Sequence, residues 1–176
     1  GTNWTEVNDL NLARYGVGGS GSDNTSSVCF GGFAYPPNNV SAVTEVWNGS
    51  NWTEQGDLST AREYPGGTGT STNALAVAGD TSGPGAANSA LTEEWTGAGV
   101  AQGAWATGGA LNTARSQITG AGSKTATIAF GGIPTSNQSL CESYNGTNWT
   151  EVNNLNTGRR SYVGSGTQSA AINVAV

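Results

Sequence analysis

An all-β fold built from repeated antiparallel strands is what the sequence predicts. Fourfold internal repetition, short runs rich in Val, Thr, Ala and aromatics bounded by Gly, Asn or Pro, and the lack of a sustained 3.6-residue period carry that expectation. Composition agrees with it. Of 176 residues only 10% are charged and 28 are Gly, whereas ordinary soluble domains carry roughly a quarter charged residues. A coiled coil or helical bundle, which draws on abundant Leu, Glu and Lys, is excluded. Six Trp and a net charge of −6 also argue against disorder, which goes with high net charge and few aromatics.

The repeat sets the order of the elements. Its opening block, NWTEVNDLNLAR at residues 3–14, returns as NWTEQGDLSTAR at 51–62, AWATGGALNTAR at 104–115 and NWTEVNNLNTGR at 148–159. Trp4, Trp52, Trp105 and Trp149 are spaced 48, 53 and 44 residues apart, and Arg14, Arg62, Arg115 and Arg159 keep the same intervals. After each Arg comes a strand of small residues (16–20 in the first unit), then a strand ending in Gly-Gly (28–32). A third strand carries Glu and an aromatic (43–47), and a fourth surrounds the next Trp. Asn48-Gly49 and Asn145-Gly146 separate apolar-alternating runs; both central residues of such a tight turn need positive φ, which Asn and Gly tolerate, so the third and fourth strands are predicted hairpin partners. The units run about 1–48, 49–96, 97–145 and 146–176, within one domain spanning 1–176. The third unit has an enlarged turn at 97–104, and the fourth lacks its third strand, with Val176 standing where Gly-Gly would be.

Four antiparallel strands per ~48 residues is the pattern of a propeller blade. The order Trp, Leu-x-x-Ala-Arg, Gly-Gly, Glu-x-aromatic, turn and next Trp resembles the kelch repeat of β-propellers, over essentially the whole chain. The resemblance implies a kelch-like β-propeller of about four blades of four antiparallel strands, the last incomplete. The local wording, with NTAR, GAGSKTATIAFGG, TEEW and YNGTNWTE almost free of Lys and without His, is similar to kelch-like arrays in structural or tail-fibre-type proteins of marine bacteriophages and marine metagenomes. That likeness implies a virion or extracellular location. Residues 3–7 are expected to supply a fourth strand to the last blade, removing an exposed edge; two chains joining into a larger ring is the alternative. Small residues in the inner strands, such as Gly18, Gly67, Gly120 and Gly164, let backbones approach closely around a narrow axis.

Several chemistries are disfavoured by residue type. The chain has no His, so the commonest general base and metal ligand are both missing, and a copper site on a kelch scaffold has no imidazole to use. No catalytic residue, metal site or cofactor is expected. Cys29 takes the place of Ala76 and Ala129 and reads as a small core residue; Cys141 replaces Thr44 and Thr92. Glu93 and Glu94 are neighbours on a strand, so they point to opposite faces and do not converge on a substrate. Asp9, Asp57 and Asp80 fall in turns and read as solvated residues rather than calcium ligands. The recurring Trp residues read as packing between units rather than as sugar platforms. Each recurring Arg is expected to pair within or between blades, through bidentate bonds to Glu45, Glu93 or Glu142 or to loop carbonyls, rather than to ring the axis as an anion site.

What departs from the repeat is the natural place for function. The second-to-third-strand connections differ in every unit, and they are expected to emerge on the face that holds Leu10, Leu58, Leu111 and Leu155. Tyr35, Pro36, Pro37, Asn38, Asp80 and Pro134 are the candidate binding residues, with Tyr35-Pro36-Pro37 the least repeat-like. The expected partners are other protein subunits, a cell-surface receptor or glycan, or a second copy of the chain completing the ring. Six Lys and Arg against 12 Asp and Glu leave no basic patch for nucleic acid. No apolar run approaches the ~20 residues of a membrane helix, so no membrane insertion is expected. The function so indicated is a non-enzymatic structural or interaction module, with a lectin-like propeller as the alternative.

Overall fold

A computed structural model describes residues 3–37, 39–83, 87–97, 102–160 and 163–174, and among them every regular element is a strand. The first unit holds β1 (Arg14–Tyr15), β2 (Gly18–Asp23), β3 (Ser26–Phe30), β4 (Phe33–Ala34), β5 (Asn39–Val40), β6 (Thr44–Trp47) and β7 (Trp52–Glu54). The second holds β8 (Gly66–Gly69), β9 (Asn73–Val77), β10 (Thr92–Thr96) and β11 (Ala104–Thr107). The third holds β12 (Thr119–Ser123), β13 (Ala126–Phe130), β14 (Cys141–Tyr144) and β15 (Trp149–Val152), and β16 (Val163–Thr167) and β17 (Ala170–Val174) follow. Three four-stranded antiparallel sheets result, β2-β3-β6-β7, β8-β9-β10-β11 and β12-β13-β14-β15, with a two-stranded sheet β16-β17 after them. The strand order within each unit is the one the repeat predicts.

The hairpins are pinned by aromatic pairs. Trp47 faces Trp52, Trp95 faces Trp105 and Tyr144 faces Trp149 across adjacent strands, with ring centroids 5.4, 5.3 and 4.9 Å apart. Such cross-strand pairs stabilise a sheet beyond the area they bury. The same rings tie one sheet to the next: Trp105 Nε1 donates to Thr44 Oγ1 at 2.9 Å and Trp149 Nε1 donates to Thr92 Oγ1 at 3.1 Å. Two further indoles close their own units, Trp47 on the Asn24 carbonyl and Trp95 on the Ser71 carbonyl. Packing, not display, is the role of these six rings.

Inner strands follow in chain order, β2 lying against β8, β8 against β12 and β12 against β16. Gly67 shows why these strands are poor in side chains: a Cβ there would stand 2.2 Å from the Gly19 carbonyl oxygen. All four inner strands line one cavity of about 220 Å³, bordered by Gly19, Ser20, Gly67, Thr68, Gly120 and Gly164 among others.

Arg14, Arg62 and Arg115 each meet the Glu on the third long strand of their own unit. Arg14 pairs with Glu45 at 2.9 Å, Arg62 with Glu93, and Arg115 with Glu142 at 2.9 Å, and all six side chains are essentially buried. The second oxygen of each Glu accepts a backbone N–H from the Leu-Asn or Leu-Ser step upstream, from Asn11, Ser59 or Asn112, each at 2.7 Å. Glu93 accepts both the Arg62 guanidinium and an N–H, so its carboxylate is satisfied despite burial.

One expected strand is absent. Residues 3–13 form no strand, and Trp4 is fully exposed. In the complete units the outer Trp leans on an aromatic of the third strand, whereas β16 and β17 have no third strand beside them among the described residues, so Trp4 has no such partner there. Asn8 instead donates to the Ser50 carbonyl and Asn51 Oδ1, outside β7. The enlarged turn at 97–104 and Val176 fall wholly or partly outside the described residues.

Candidate functional site

A small second sheet builds the candidate face. β1 pairs with β4, and β4 with β5, so that Tyr15, Phe33 and Val40 stand opposite one another. The second unit repeats this as Glu63, Asp80 and Asn88, and the third as Ser116 and Ile133, each through isolated bridges. Backbone bonds from Leu58 to Ala42, Leu111 to Ala90 and Leu155 to Ser139 bring the Leu-bearing segments to the same side. The second-to-third-strand loops therefore share a face with those segments, as the repeat implies.

The candidate residues differ sharply in what they present. Tyr35, Pro36 and Pro37 occupy the turn between β4 and β5 and are exposed, Tyr35 to 73%. Asn38 lies outside the described residues. Pro134 is half-buried, and its carbonyl accepts Asn88 Nδ2 at 2.8 Å, linking the loops of the second and third units. Gly83 approaches Phe33, so the first and second loops also meet. Asp80 overturns its reading as a solvated turn residue, for it is 1% exposed. Its Oδ1 accepts the backbone N–H of Ser82 and Ala87, at 3.1 and 3.2 Å, which ties its carboxylate to both.

Glu63 is the residue that the repeat concealed. It follows Arg62 where Tyr15, Ser116 and Arg160 follow theirs, and it is wholly buried. Burial, with the charge of Asp80 behind it, pushes the Glu63 carboxyl above its ordinary range. The slot holds Tyr15, Ser116 and Arg160 in the other units, so the sequence carries no mark that singles Glu63 out. Burial likewise raises both thiols, Cys29 and Cys141, which are unbridged. A thiol held protonated is a poor nucleophile.

Among the described residues no group of three or more His, Cys, Asp or Glu side chains comes together as a metal centre. No protein-family model matches the chain, and comparison with curated proteins finds no match.

Proposed function

We propose that the chain is a kelch-like β-propeller module that works by contact rather than catalysis, as a structural or interaction part of a virion appendage such as a tail fibre, or of another extracellular assembly. One observation carries the contact reading: the Arg–Glu pairs and indole N–H groups of the three complete units face inward, while the Tyr35-Pro36-Pro37 turn, the least repeat-like segment, faces outward. Three Arg–Glu ion pairs are buried and four indole N–H groups are hydrogen-bonded inside or between sheets, whereas Tyr35-Pro36-Pro37 stands in solvent. An exposed aromatic flanked by rigid prolines presents contact area at small cost in conformational entropy. The virion setting is supported by the resemblance of the repeat wording alone.

The test is the particle mass of the native preparation by light scattering, with imaging of the same sample, alongside a glycan array. Large particles of repeating form support an assembly component. Binding of a defined glycan by a monomer, lost in Tyr35→Ala, replaces this reading with the lectin-like one. Turnover of any substrate overturns both.

A further inference from the structure

Glu63, Asp80 and Asn88 stand opposite one another in two consecutive antiparallel bridges. Residues directly opposed in antiparallel strands project to the same side, with Cβ atoms about 4.5–5.5 Å apart. The backbone bonds fix the registers: Glu63 and Asp80 exchange N–H···O bonds of 2.8 Å each, while Thr81 to Ala87 and Ser89 to Gly79 flank the Asp80–Asn88 pair. The latter is thus the closer, non-hydrogen-bonded kind of pair. Three side chains bearing oxygen acceptors therefore share one face.

Their oxygens lack donors. Glu63 Oε1 and Oε2, Asp80 Oδ2 and Asn88 Oδ1 are all buried without a hydrogen-bond partner. The remaining atoms are anchored, Asp80 Oδ1 by two backbone N–H groups and Asn88 Nδ2 by the Pro134 carbonyl. The neighbouring guanidinium of Arg62 is committed to Glu93 and to the carbonyls of Thr60, Ala78 and Leu91. The fold does not demand acids here, because the same positions hold Tyr15, Phe33 and Val40 in the first unit, with the two rings 5.4 Å apart, and Ser116 and Ile133 in the third. Burying two carboxylates without donors costs several kcal/mol per ion, so each needs a proton or a cation.

We propose that Glu63, Asp80 and Asn88 form a binding site for a hard divalent cation of the Ca²⁺ class, held on the loop face of the second unit. Two carboxylates match its charge. Oxygen-only ligands suit Ca²⁺, which takes carboxylates and amide carbonyls in flexible geometry, better than Mg²⁺, which demands a near-ideal octahedron. Bound there, the cation joins the segment after Arg62 to the loops at Asp80, Asn88 and, through the Asn88 amide, Pro134.

The test is thermal unfolding of chelator-treated protein at pH 7.5, with and without millimolar CaCl₂, and with MgCl₂ as the comparison. The expected result is a rise of several degrees in Tm with Ca²⁺, smaller with Mg²⁺, and no rise in Glu63→Gln or Asp80→Asn. An unchanged wild-type Tm, or an equal rise in both variants, overturns the site. If the acid variants fail to fold, calorimetric titration of wild type and Asn88→Ala with CaCl₂ decides. One Ca²⁺ per chain, weakened about tenfold in Asn88→Ala, supports the site, and no binding or binding indifferent to Asn88→Ala overturns it.

Discussion

The recurring Arg shows how much one residue's partner matters. Arg62 is buried against Glu93, while Arg159 has no ion-pair partner among the described residues and its guanidinium donates a long 3.5 Å bond to the Thr157 carbonyl. Arg62→Met strands Glu93 as a buried, uncompensated charge, so urea denaturation should report a loss of about 3–5 kcal/mol. Arg159→Met leaves no such charge, and a change within about 0.5 kcal/mol is expected. Equal losses in the two variants would show that the guanidinium acts through packing alone. Glu63 supplies a pH dependence of definite sign. Its carboxyl is raised in the fold by burial and by Asp80, so without a bound cation the folded chain holds that proton more tightly than the unfolded chain. The stability this gives is complete below the unfolded value and is lost as pH climbs through the folded one. Chelated wild type should therefore lose stability relative to Glu63→Gln across that window and then run parallel to it. Parallel curves throughout would mean that Glu63 titrates normally. The sequence made the Arg–Glu pairs legible, because both partners recur at fixed intervals. It hid Glu63, because a slot after Arg carries no mark of burial until the small sheet around it is seen.

Strand order and hairpin register were readable because Trp, Arg, Gly-Gly and Asn-Gly recur together, and each has a local reason to be where it is. The two-residue strands β1, β4 and β5 were not readable, since two residues show no period. The strand expected at residues 3–7 failed for a related reason. Its wording matches that of β15, yet strand formation depends on a neighbouring strand to pair with, and sequence wording does not report the neighbour. Backbone geometry adds a test at this scale. Gly16, Tyr64 and Gln117 occupy equivalent positions two residues after Arg, with φ of 62°, 50° and 52°. A side chain in that left-handed region costs of the order of 1 kcal/mol, which Gly avoids. The Gln117 side chain accepts only a 3.5 Å bond from Arg160. Gln117→Gly should therefore raise Tm by about 2–4 °C, the shift that about 1 kcal/mol produces at this chain length. A lower Tm would show that the Arg160 contact outweighs the backbone strain.

At the scale of the whole molecule, β16–β17 is the least covered of the described sheets. Its strands pair only with each other there, and Val163, Ile172 and Val174 are each more than half exposed. A strand edge with apolar side chains and no neighbour is a template for another strand. Under the contact reading, that edge is where a second copy or a further segment would add. Ile172→Lys places a charge on β17 without touching the buried Arg–Glu pairs or the Trp contacts that tie the three complete sheets together. Thermal unfolding should therefore move by a degree or two at most. Particle mass by light scattering should fall toward that of a single chain, because Lys on an exposed edge opposes strand addition. Tyr35→Ala, on the loop face, should leave the mass unchanged if the edge alone carries self-assembly. A mass that stays high in Ile172→Lys and falls in Tyr35→Ala would move the contact from the strand edge to the loop face, and the β17 edge would then need another cover.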